Sequence, residues 1–585
     1  MATAPAVVPP TAAQAGSAAQ SSTGERAPST PAPYRTHDVD NQPPPLAGID
    51  LFSTNRALVE ATDREGAEWV GPRAAELGRA VGSEPLRWGF EANENPPVLH
   101  THDRWGNRID EVEYHPAWHR LMALGIENEL HSLPWTSTAP FAHTARAALY
   151  MTAIQAEAGF ACPLTMTYAV VPALRAQPEL AAHWEPLITS TSYDPRLVSA
   201  SVKGCAISGM GMTEKQGGSD VRANRTRAVA LHGGGPGGEY ELTGHKWFCS
   251  APMSDLFLML AQAPEGLSCF LVPRVLDDGR RNPFHLQRLK DKLGNRSNAS
   301  SEVELHGTWA QMVGEPGRGV RTIIEMVGHT RLDCVIGTAA GMRVAVTQAI
   351  HHATHRSAFG RRLLDQPLMR NVLSDLAVES EAATLLAMRL ARAYDEAHVD
   401  AREGVQESPA QLFKRLATAV GKYWVCKRAP NHAFEALECL GGNGYVEASG
   451  MPRLYREAPL ASIWEGSGNV MCLDVMRAMA HQPQSWEVFL AEVEEARGGD
   501  RRLDAHVDAL RAQMCHPQEL ELRARRVVEQ MALALQGSLL VRHSPSAVAD
   551  AFCASRLDRD GGLEYGTLPP GSDLESILQR ARPYV

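Results

Sequence analysis

The assignment of the fold depends most on the stretch GMGMTEKQGGSD, from Gly209 to Asp220. The hydroxyls of Thr213 and Ser219 and the flexible Gly217–Gly218 backbone can supply hydrogen-bond donors to ring oxygens and to a pyrophosphate. Taken by itself, the glycine pair is explained equally well as an ordinary hairpin turn. The stretch therefore indicates either a ligand-binding loop or a turn, and the neighbouring segments decide between them.

Four further segments follow in the order GHKWFCSA (244–251), HRSAFG (355–360), LGGNGY (440–445) and IWEGSGN (463–469). Trp247 and Phe248 lie on a strand-like run, where core aromatics are the simpler explanation if the segment is taken alone. Arg356 is a fixed cation with five hydrogen-bond donors, which suits binding to a pyrophosphate. Alternatively, it is an arginine at a helix end that only interacts favourably with the helix dipole.

The sequence changes character twice along its length. From about residue 50 to 205 it is helical, and the spacing of Leu58, Ala61, Ala67 and Val70 predicts a helix that stops at Gly82. Between Ala206 and Val313, β-branched and aromatic runs separated by Gly- and Pro-rich breaks predict an antiparallel sheet. After VGEPGRGV a three-and-four spacing predicts a bundle helix through Leu373, Leu376, Ser380, Ala383, Ala387 and Leu390.

These changes predict five segments. Residues 1–45 are dominated by Ala, Pro, Ser and Thr and are expected to be a disordered tail, because they contain too little apolar surface to fold. An N-terminal helical domain is expected over 46–205, a β domain over 206–315 and a helical bundle over 316–482. Pro483 opens a C-terminal helical extension over 483–585.

Composition excludes several classes of protein. The 585 residues carry 57 Lys and Arg against 67 Asp and Glu, and the net charge of −10 argues against a uniformly basic nucleic-acid surface while permitting a local patch. No apolar run approaches the roughly 20 residues of a membrane-spanning helix. The ten cysteines are scattered without metal-ligand spacing, and the N-terminus lacks a secretory signal. We expect a cytoplasmic protein without a metal or membrane partner.

Five short motifs resemble segments of acyl-CoA dehydrogenases and follow one another in the same order: residues 209–220, 244–251, 355–360, 440–445 and 463–469. The resemblance spans roughly residues 50 to 480. It implies a mainly α fold in which a helical N-terminal domain, a central antiparallel β domain (barrel or sandwich) and a four-helix bundle follow one another. It also implies an FAD cofactor and a homotetramer. The C-terminal extension then lies beyond the part common to the family.

The resemblance assigns FAD contacts residue by residue. Those from one subunit are Met210, Met212, Thr213, Gly218, Ser219, Phe248, Cys249, Ser250, Ile463, Trp464, Gly466, Ser467 and Asn469. Those reaching the flavin of a neighbouring subunit are Arg356, Phe359, Gln366, Gly441 and Gly442. The sequence departs at Glu438, where the family usually has Gln, and a carboxylate near a pyrophosphate is unfavourable unless it turns away.

Glu465 matches the commonest position of the family's catalytic base. Dehydrogenation of an acyl thioester needs a base for the α-proton while a hydride leaves for the flavin, and burial raises a carboxylate's pKa for that task. The alternative position of the base, before the arginine that matches Arg331, is occupied here by Thr330. Arg331 is expected at the substrate site. Trp464 replaces a smaller aromatic, which favours short, branched or no acyl substrates.

Within the family, NQPPPL, RLKDKLGNRSNAS and SIWEGSGNVMCLDVMR resemble a branch that acts in the response to DNA alkylation. This implies binding of double-stranded DNA, with at most weak dehydrogenase activity on a short branched acyl-CoA. The alternative is a metabolic dehydrogenase for a short or branched thioester that does not bind DNA.

The extension weakens the DNA-binding prediction, because residues 483–585 hold 12 Arg, no Lys and 16 Asp and Glu, a net charge of −4. The candidate DNA contacts are Arg477, Arg523, Arg525 and Arg526. Neighbouring glutamates also allow an ordinary salt-bridged helix face.

Overall fold

The computed structural model describes residues 36–515 and 518–584. The predicted disordered tail therefore lies outside the described residues up to position 35, and residues 36–42, a separate unit, contain no helix or strand. The chain from Pro43 onward forms one unit by its internal contacts. Within the described part, no helix is long and apolar enough to cross a membrane.

The N-terminal region is built from helices that bury Leu58, Ala61, Ala67 and Val70 completely, as their spacing predicts. Gly66, with φ +84°, breaks the expected first helix in two, and the second part ends before Gly82. The helices are α1 (Arg56–Arg64), α2 (Gly71–Val81), α3 (Glu84–Glu94), α4 (Pro116–Glu127), α5 (Leu133–Thr136), α6 (Ala142–Ala153), α7 (Ala161–Leu174), α8 (Pro178–Ile188) and α9 (Ala200–Lys203).

The N-terminal region also contains a hairpin of β1 (Val98–His102) and β2 (Arg108–Glu113), which the helical reading of residues 50–205 missed. Both strands carry charged or histidine side chains and are largely exposed, so they lack the apolar alternation by which a strand is recognised. Arg108 of β2 donates to the Leu286 carbonyl and thereby ties the hairpin to the next region.

The β domain holds seven strands between Ser208 and Val313: β3 (Ser208–Gly211), β4 (Arg227–Ala230), β5 (Glu239–Ser250), β6 (Leu256–Ala263), β7 (Gly266–Pro273), β8 (Phe284–Leu289) and β9 (Ser300–Val313). The pairings β6–β4, β4–β5, β5–β9, β9–β7 and β7–β6 close a ring, so the sheet is a barrel. Successive residues of β6 alternate between the barrel interior, with Phe257 and Met259, and an outer core shared with α7 and α8.

The sequence predicts an antiparallel sheet, but part of the sheet is parallel. Strand β6 pairs in parallel with β3 and, at Arg227 and Gln262, with β4. After β3 the chain first forms the β4–β5 hairpin. Strand β6 follows and runs beside β3 in the same direction. A connection of this length allows parallel pairing, which a tight hairpin forbids.

The helical bundle consists of α10 (Gly319–His355), α11 (Pro367–Arg402), α12 (Pro409–Glu438) and α14 (Gly468–His481), with the short α13 (Met451–Glu457) before the last. Strands β10 (Ser357–Ala358) and β11 (Arg361–Arg362) form a small hairpin between α10 and α11. The predicted stripe on α11 is buried, Ser380 included. Helix α10 packs against both α11 and α12.

The C-terminal extension is helical, as predicted, with α15 (Gln484–Glu494), α16 (Arg501–Met514), α17 (Leu520–His543), α18 (Ser546–Phe552), a π-helical turn and α19 (Leu574–Ala581). Helix α17 packs against α11, α12 and α14. Arg556 pairs with the buried carboxylates of Asp375 and Glu379 on α11. The extension is therefore joined to the bundle by core packing and by buried ion pairs.

Candidate active site

Glu465 lies in a short loop before α14 whose backbone is held by two cations. The Arg331 Nε on α10 donates to the Glu465 carbonyl at 2.9 Å. The buried Lys422 on α12 donates to the carbonyls of Trp464, at 2.8 Å, and of Gly466. Glu465 has φ +57°, a left-handed conformation that costs a non-glycine residue of order 1–3 kcal/mol. Three successive carbonyls bound by cations hold the loop in this conformation.

The Glu465 carboxylate is half-buried, and among the described residues one side chain donates a hydrogen bond to it. The Thr330 Oγ1 donates to its Oε2 at 2.7 Å. Burial raises the pKa of Glu465, while the Thr330 hydrogen bond and the charges of Arg331 and Lys422 act in the opposite direction. A desolvated carboxylate with a raised pKa is suited to accept a proton from carbon.

Arg331 contacts the Glu465 loop through part of its guanidinium. Its Nη1 donates to the Asp474 carboxylate at 2.8 Å, and Arg415 binds the same carboxylate in a bidentate manner. Its Nε donates to the Glu465 carbonyl. Arg331 therefore positions the Glu465 loop, and its contact with a substrate stays a prediction.

Cys162 of α7 links the base to the β domain. Burial raises the pKa of its thiol to about 11, and both the Ser250 hydroxyl and the Glu465 carboxylate are close enough to affect it. The Ser250 Oγ lies 3.1 Å from the Ser300 Oγ, to which Lys292 Nζ donates at 3.0 Å. Ser250 and Glu465, predicted from two segments about 200 residues apart in the numbering, thus both act on the pKa of this one thiol.

The loop after β3 is held by a buried ion pair. Lys246 Nζ donates to Glu214 Oε1 at 2.9 Å, and neither side chain is accessible to solvent. Burial alone would raise the pKa of Glu214, but Lys246 and hydrogen bonds from Arg225 and Thr226 outweigh it and lower the pKa to about 2. The Thr213 carbonyl accepts from the Trp247 N–H at 2.9 Å. The loop that carries Thr213 is thereby fixed to β5.

The residues of this loop and of β5 fit a flat ring system such as isoalloxazine. Phe248 is 51% exposed on β5, an unusual position for a large aromatic side chain unless something covers it. Met210, Met212 and Trp464 are half-buried against one apolar cluster, so the strand and the base loop border the same space. A Cβ on Gly218 would lie 2.2 Å from the Thr213 hydroxyl, which explains the glycine.

One predicted cofactor contact needs a correction. The Cys249 side chain is buried in the barrel interior, because residues alternate along β5. Only its backbone can therefore face a ligand on the side of Phe248.

The predicted FAD residues assigned to a neighbouring subunit lie at the other end of the bundle, whereas Ile463, Gly466, Ser467 and Asn469 lie in the Glu465 loop and the first turn of α14. Arg356 ends α10, and Phe359, at the tip of the β10–β11 hairpin, is fully exposed. Arg331 and His355 are 24 residues apart on α10, which at 1.5 Å per residue corresponds to about 36 Å. The residues that share this end of the bundle with Arg356 and Phe359 are Gln366, Gly441 and Gly442. Glu438 is exposed on the last turn of α12.

The four predicted DNA contacts do not form one cluster. Arg477 is exposed on α14, and Arg526 is exposed on α17. Arg523 donates to the Gln518 carbonyl, whereas Arg525 points to the bundle and donates from Nε to Asn469 Oδ1 at 2.8 Å. Residues two apart on a helix do not share a face, so we correct the grouping and separate Arg525 from its neighbours.

Sequence reasoning missed several residues of the site: Thr330 as a partner of the base, Lys422, Asp474, Cys162, and the Glu214–Lys246 pair. One signal was present for Lys422, a lone lysine in the apolar run ATAVGKYWVC, because such a residue is seldom fully buried without a partner. Among the described residues, no group of three or more His, Cys, Asp or Glu side chains is arranged to hold a metal ion.

Three family models match the chain in succession. They describe the adaptive response protein AidB N-terminal domain (residues 41–195), the acyl-CoA dehydrogenase middle domain (209–308) and the acyl-CoA dehydrogenase C-terminal domain (317–480).

Comparison with individual proteins gives similar results. The chain is 46% identical to AidB of Escherichia coli (strain K12) over 91% of its length and 96% of that protein. Among solved structures, Caenorhabditis elegans ACDH-11 in complex with C11-CoA has a TM-score of 0.79 at 25% identity, covering 95% of both chains. A glutaryl-CoA dehydrogenase from Mycobacterium smegmatis in complex with FADH2 has a TM-score of 0.56 at 19% identity, covering 73% of this chain and 98% of that one, and shows the fold alone.

Proposed function

Because the chain belongs to the acyl-CoA dehydrogenase family and is similar to AidB over most of its length, we propose that it is an AidB-type flavoprotein that also binds double-stranded DNA in the response to alkylation damage. FAD is its cofactor. The Glu465 site retains the capacity for weak dehydrogenation of a short branched acyl-CoA. The observation that carries the chemical part is the half-buried Glu465 carboxylate, held by Thr330 in a loop fixed by Arg331 and Lys422.

The residues around Glu465 prepare it for one proton transfer. Burial raises its pKa, so the carboxylate becomes a stronger base, and Thr330 fixes one oxygen. Bound FAD supplies the acceptor for the hydride that leaves the neighbouring carbon. Trp464, half-buried against the apolar cluster next to the base, narrows the space for the acyl group. ACDH-11 was solved with C11-CoA, so an acyl-length series is needed to test this preference.

The flavin site is completed by a second subunit in this proposal. The Glu465 end and the Arg356 end of α10 are about 36 Å apart. One FAD molecule is too short to contact the predicted residues at both ends of a single chain. The exposed Phe359 and the glycines after α12 are therefore placed to serve the flavin of a neighbouring copy. A homotetramer built as two such pairs satisfies every site.

The DNA part of the proposal is supported by similarity to AidB and by exposed arginines. The net charge of −4 in the extension argues against DNA binding. Binding to phosphates is then independent of sequence and falls steeply with salt, because neutralised phosphates release counterions. The footprint uses Arg477, Arg523 and Arg526, while Arg525 is engaged by Asn469.

One experiment tests both parts on the same preparation. The full-length holoprotein is titrated with duplex DNA at several salt concentrations, and its anaerobic flavin bleaching is measured with short, branched and longer acyl-CoA thioesters. Glu465→Gln should abolish bleaching and leave FAD and DNA binding unchanged. Charge reversal of Arg477, Arg523 and Arg526 should weaken DNA binding and leave bleaching unchanged, with charge reversal of the exposed Arg280 as the matched control.

The outcomes separate the alternatives. Bleaching by short branched thioesters together with no DNA binding at low salt would favour a metabolic dehydrogenase. DNA binding without bleaching by any thioester would leave the flavin without its family chemistry. Bleaching that survives in Glu465→Gln would place the base elsewhere.

A further inference from the structure

Helix α17 of the C-terminal extension begins next to the loop that carries the base. Arg525, in its second turn, extends to α14 and donates from Nε to the side chain of Asn469 at 2.8 Å. Asn469 is four residues after Glu465 and is a predicted FAD contact. An arginine outside the three matched family segments is thereby placed at the edge of the expected cofactor site.

A second cation reaches the same point from a different helix. Lys427 Nζ on α12 and Arg525 Nη2 on α17 each lie 3.4 Å from the position that a Cβ on Gly468 would occupy. In the described part of the chain, neither side chain forms an ion pair with a carboxylate. Two cations directed at one point without a counter-ion repel each other, and an anion bound between them removes that cost.

The anion is identified by where the two cations lie. Phe248 and Glu465 mark the end of the site that fits the neutral isoalloxazine ring, and Arg525 and Lys427 meet at Gly468, two residues beyond Gly466 on the chain. The rest of an FAD molecule is a diphosphate that carries adenosine. Gly468 has no side chain to fill the space in front of the two nitrogens. Arginine and lysine are the side chains best suited to phosphate oxygens.

We propose that Arg525 and Lys427 bind the adenosine-side phosphates of FAD, so that the C-terminal extension contributes to cofactor binding. This inference rests on FAD being the cofactor. It removes Arg525 from the DNA footprint, although a DNA phosphate has the same chemistry and is the alternative source of the anion. The extension is then required for flavin retention even in a protein that never meets DNA.

The test compares ligands that share the ring and differ in phosphate. Full-length apoprotein of the wild type, Arg525→Ala, Lys427→Ala and the double variant is titrated with FAD and with riboflavin. We expect FAD affinity to fall by about tenfold for each substitution, the usual value of a charge-assisted hydrogen bond, and riboflavin affinity to stay unchanged. Arg559→Ala, at an exposed arginine of the same extension, is the matched control and should retain full FAD affinity.

Every outcome is decisive. Unchanged FAD affinity in the double variant would overturn the proposal, and if DNA affinity fell instead, the anion would be a DNA phosphate. Equal losses for FAD and riboflavin would indicate damage to the ring site and would also overturn it. Arg525→Lys, which keeps the charge, should recover part of the FAD affinity, whereas a merely structural loss would not be recovered. A wild type that binds neither ligand would refute the flavoprotein assignment itself.

Discussion

At the scale of single residues, the candidate site depends on how its surroundings set the position and the pKa of the Glu465 carboxylate. In the described part of the chain, no cation binds the carboxyl oxygens of Glu465; Arg331 and Lys422 bind backbone carbonyls of its loop instead. A direct ion pair would hold the pKa low and weaken the base, whereas burial with one neutral hydroxyl donor leaves it raised. The two cations therefore fix position without removing basicity.

Thr330→Val should shift the pH dependence of flavin bleaching to higher pH. The Thr330 hydrogen bond stabilises the ionised carboxylate, so its loss raises the pKa of Glu465 further. Bleaching needs the carboxylate form, so its rate at neutral pH should fall, by up to about tenfold, and recover toward the wild-type rate at high pH. The measurement is the anaerobic bleaching rate as a function of pH.

The control for this change lies on the same helix. Thr338→Val removes a buried hydroxyl whose hydrogen bonds go to Cys334 and Cys426, away from Glu465, and should leave the pH profile in place. A Thr330→Val profile with the wild-type midpoint would show that this hydroxyl does not govern the base.

At the scale of elements, the loop proposed to bind flavin is held by packing that its own sequence does not reveal. The glycines and hydroxyls of the loop are visible in GMGMTEKQGGSD, but the conformation is held by Glu214 inside the protein and by Lys246 from β5. Replacing one member of a buried pair leaves the other charge without a partner, which is costly.

Lys246→Met should destabilise the protein and release the loop. We expect the free energy of unfolding to fall by about 3–5 kcal/mol, because Glu214 would remain buried without its counter-ion. FAD should dissociate more readily in the variant. The measurements are denaturant unfolding and FAD release on dilution. Lys215→Met, on an exposed residue of the same loop, should change stability by no more than about 0.5 kcal/mol; an equal loss in both variants would contradict the assignment.

Elements with regular apolar spacing could be predicted from the sequence, and the contacts between them could not. The stripe from Leu373 to Leu390 predicted α11 because helical periodicity is a local property. The β1–β2 hairpin was missed because its sequences, VLHTH and RIDEVE, do not alternate apolar with polar residues. The parallel pairing of β3 with β6 depends on how the chain returns to the sheet. The Lys422 contact with Trp464 and the Arg525 contact with Asn469 arise from tertiary packing and have no local signature.

At the scale of the whole molecule, the length of α10 bears on the proposed arrangement of the cofactor sites. The base end and the Arg356 end are about 36 Å apart, so the proposed function requires each chain to offer two halves of different sites. Association is then a condition for binding the cofactor, and it should be testable without any assumption about substrate or DNA.

Two variants that each fail to bind FAD should restore binding when they associate. Gly218→Val damages the near half, because its Cβ would lie 2.2 Å from the Thr213 hydroxyl, and Arg356→Glu places a negative charge in the far half. In a mixed pair, one site combines both lesions and the other combines two intact halves. Co-expression with different tags and sequential purification should therefore yield mixed oligomers that carry FAD at up to half of their sites, one for each mixed pair, measured by visible absorbance per chain.

The homo-oligomers of each variant, purified in the same way, are the controls and should be colourless. If both halves of a site came from one chain, each chain of a mixed oligomer would still carry its own lesion, and the mixed protein would be colourless as well. Mixed oligomers that assemble but contain no FAD would therefore contradict the shared site, whereas half-occupied oligomers can arise only if Arg356 of one chain completes the site that holds Gly218 of the other.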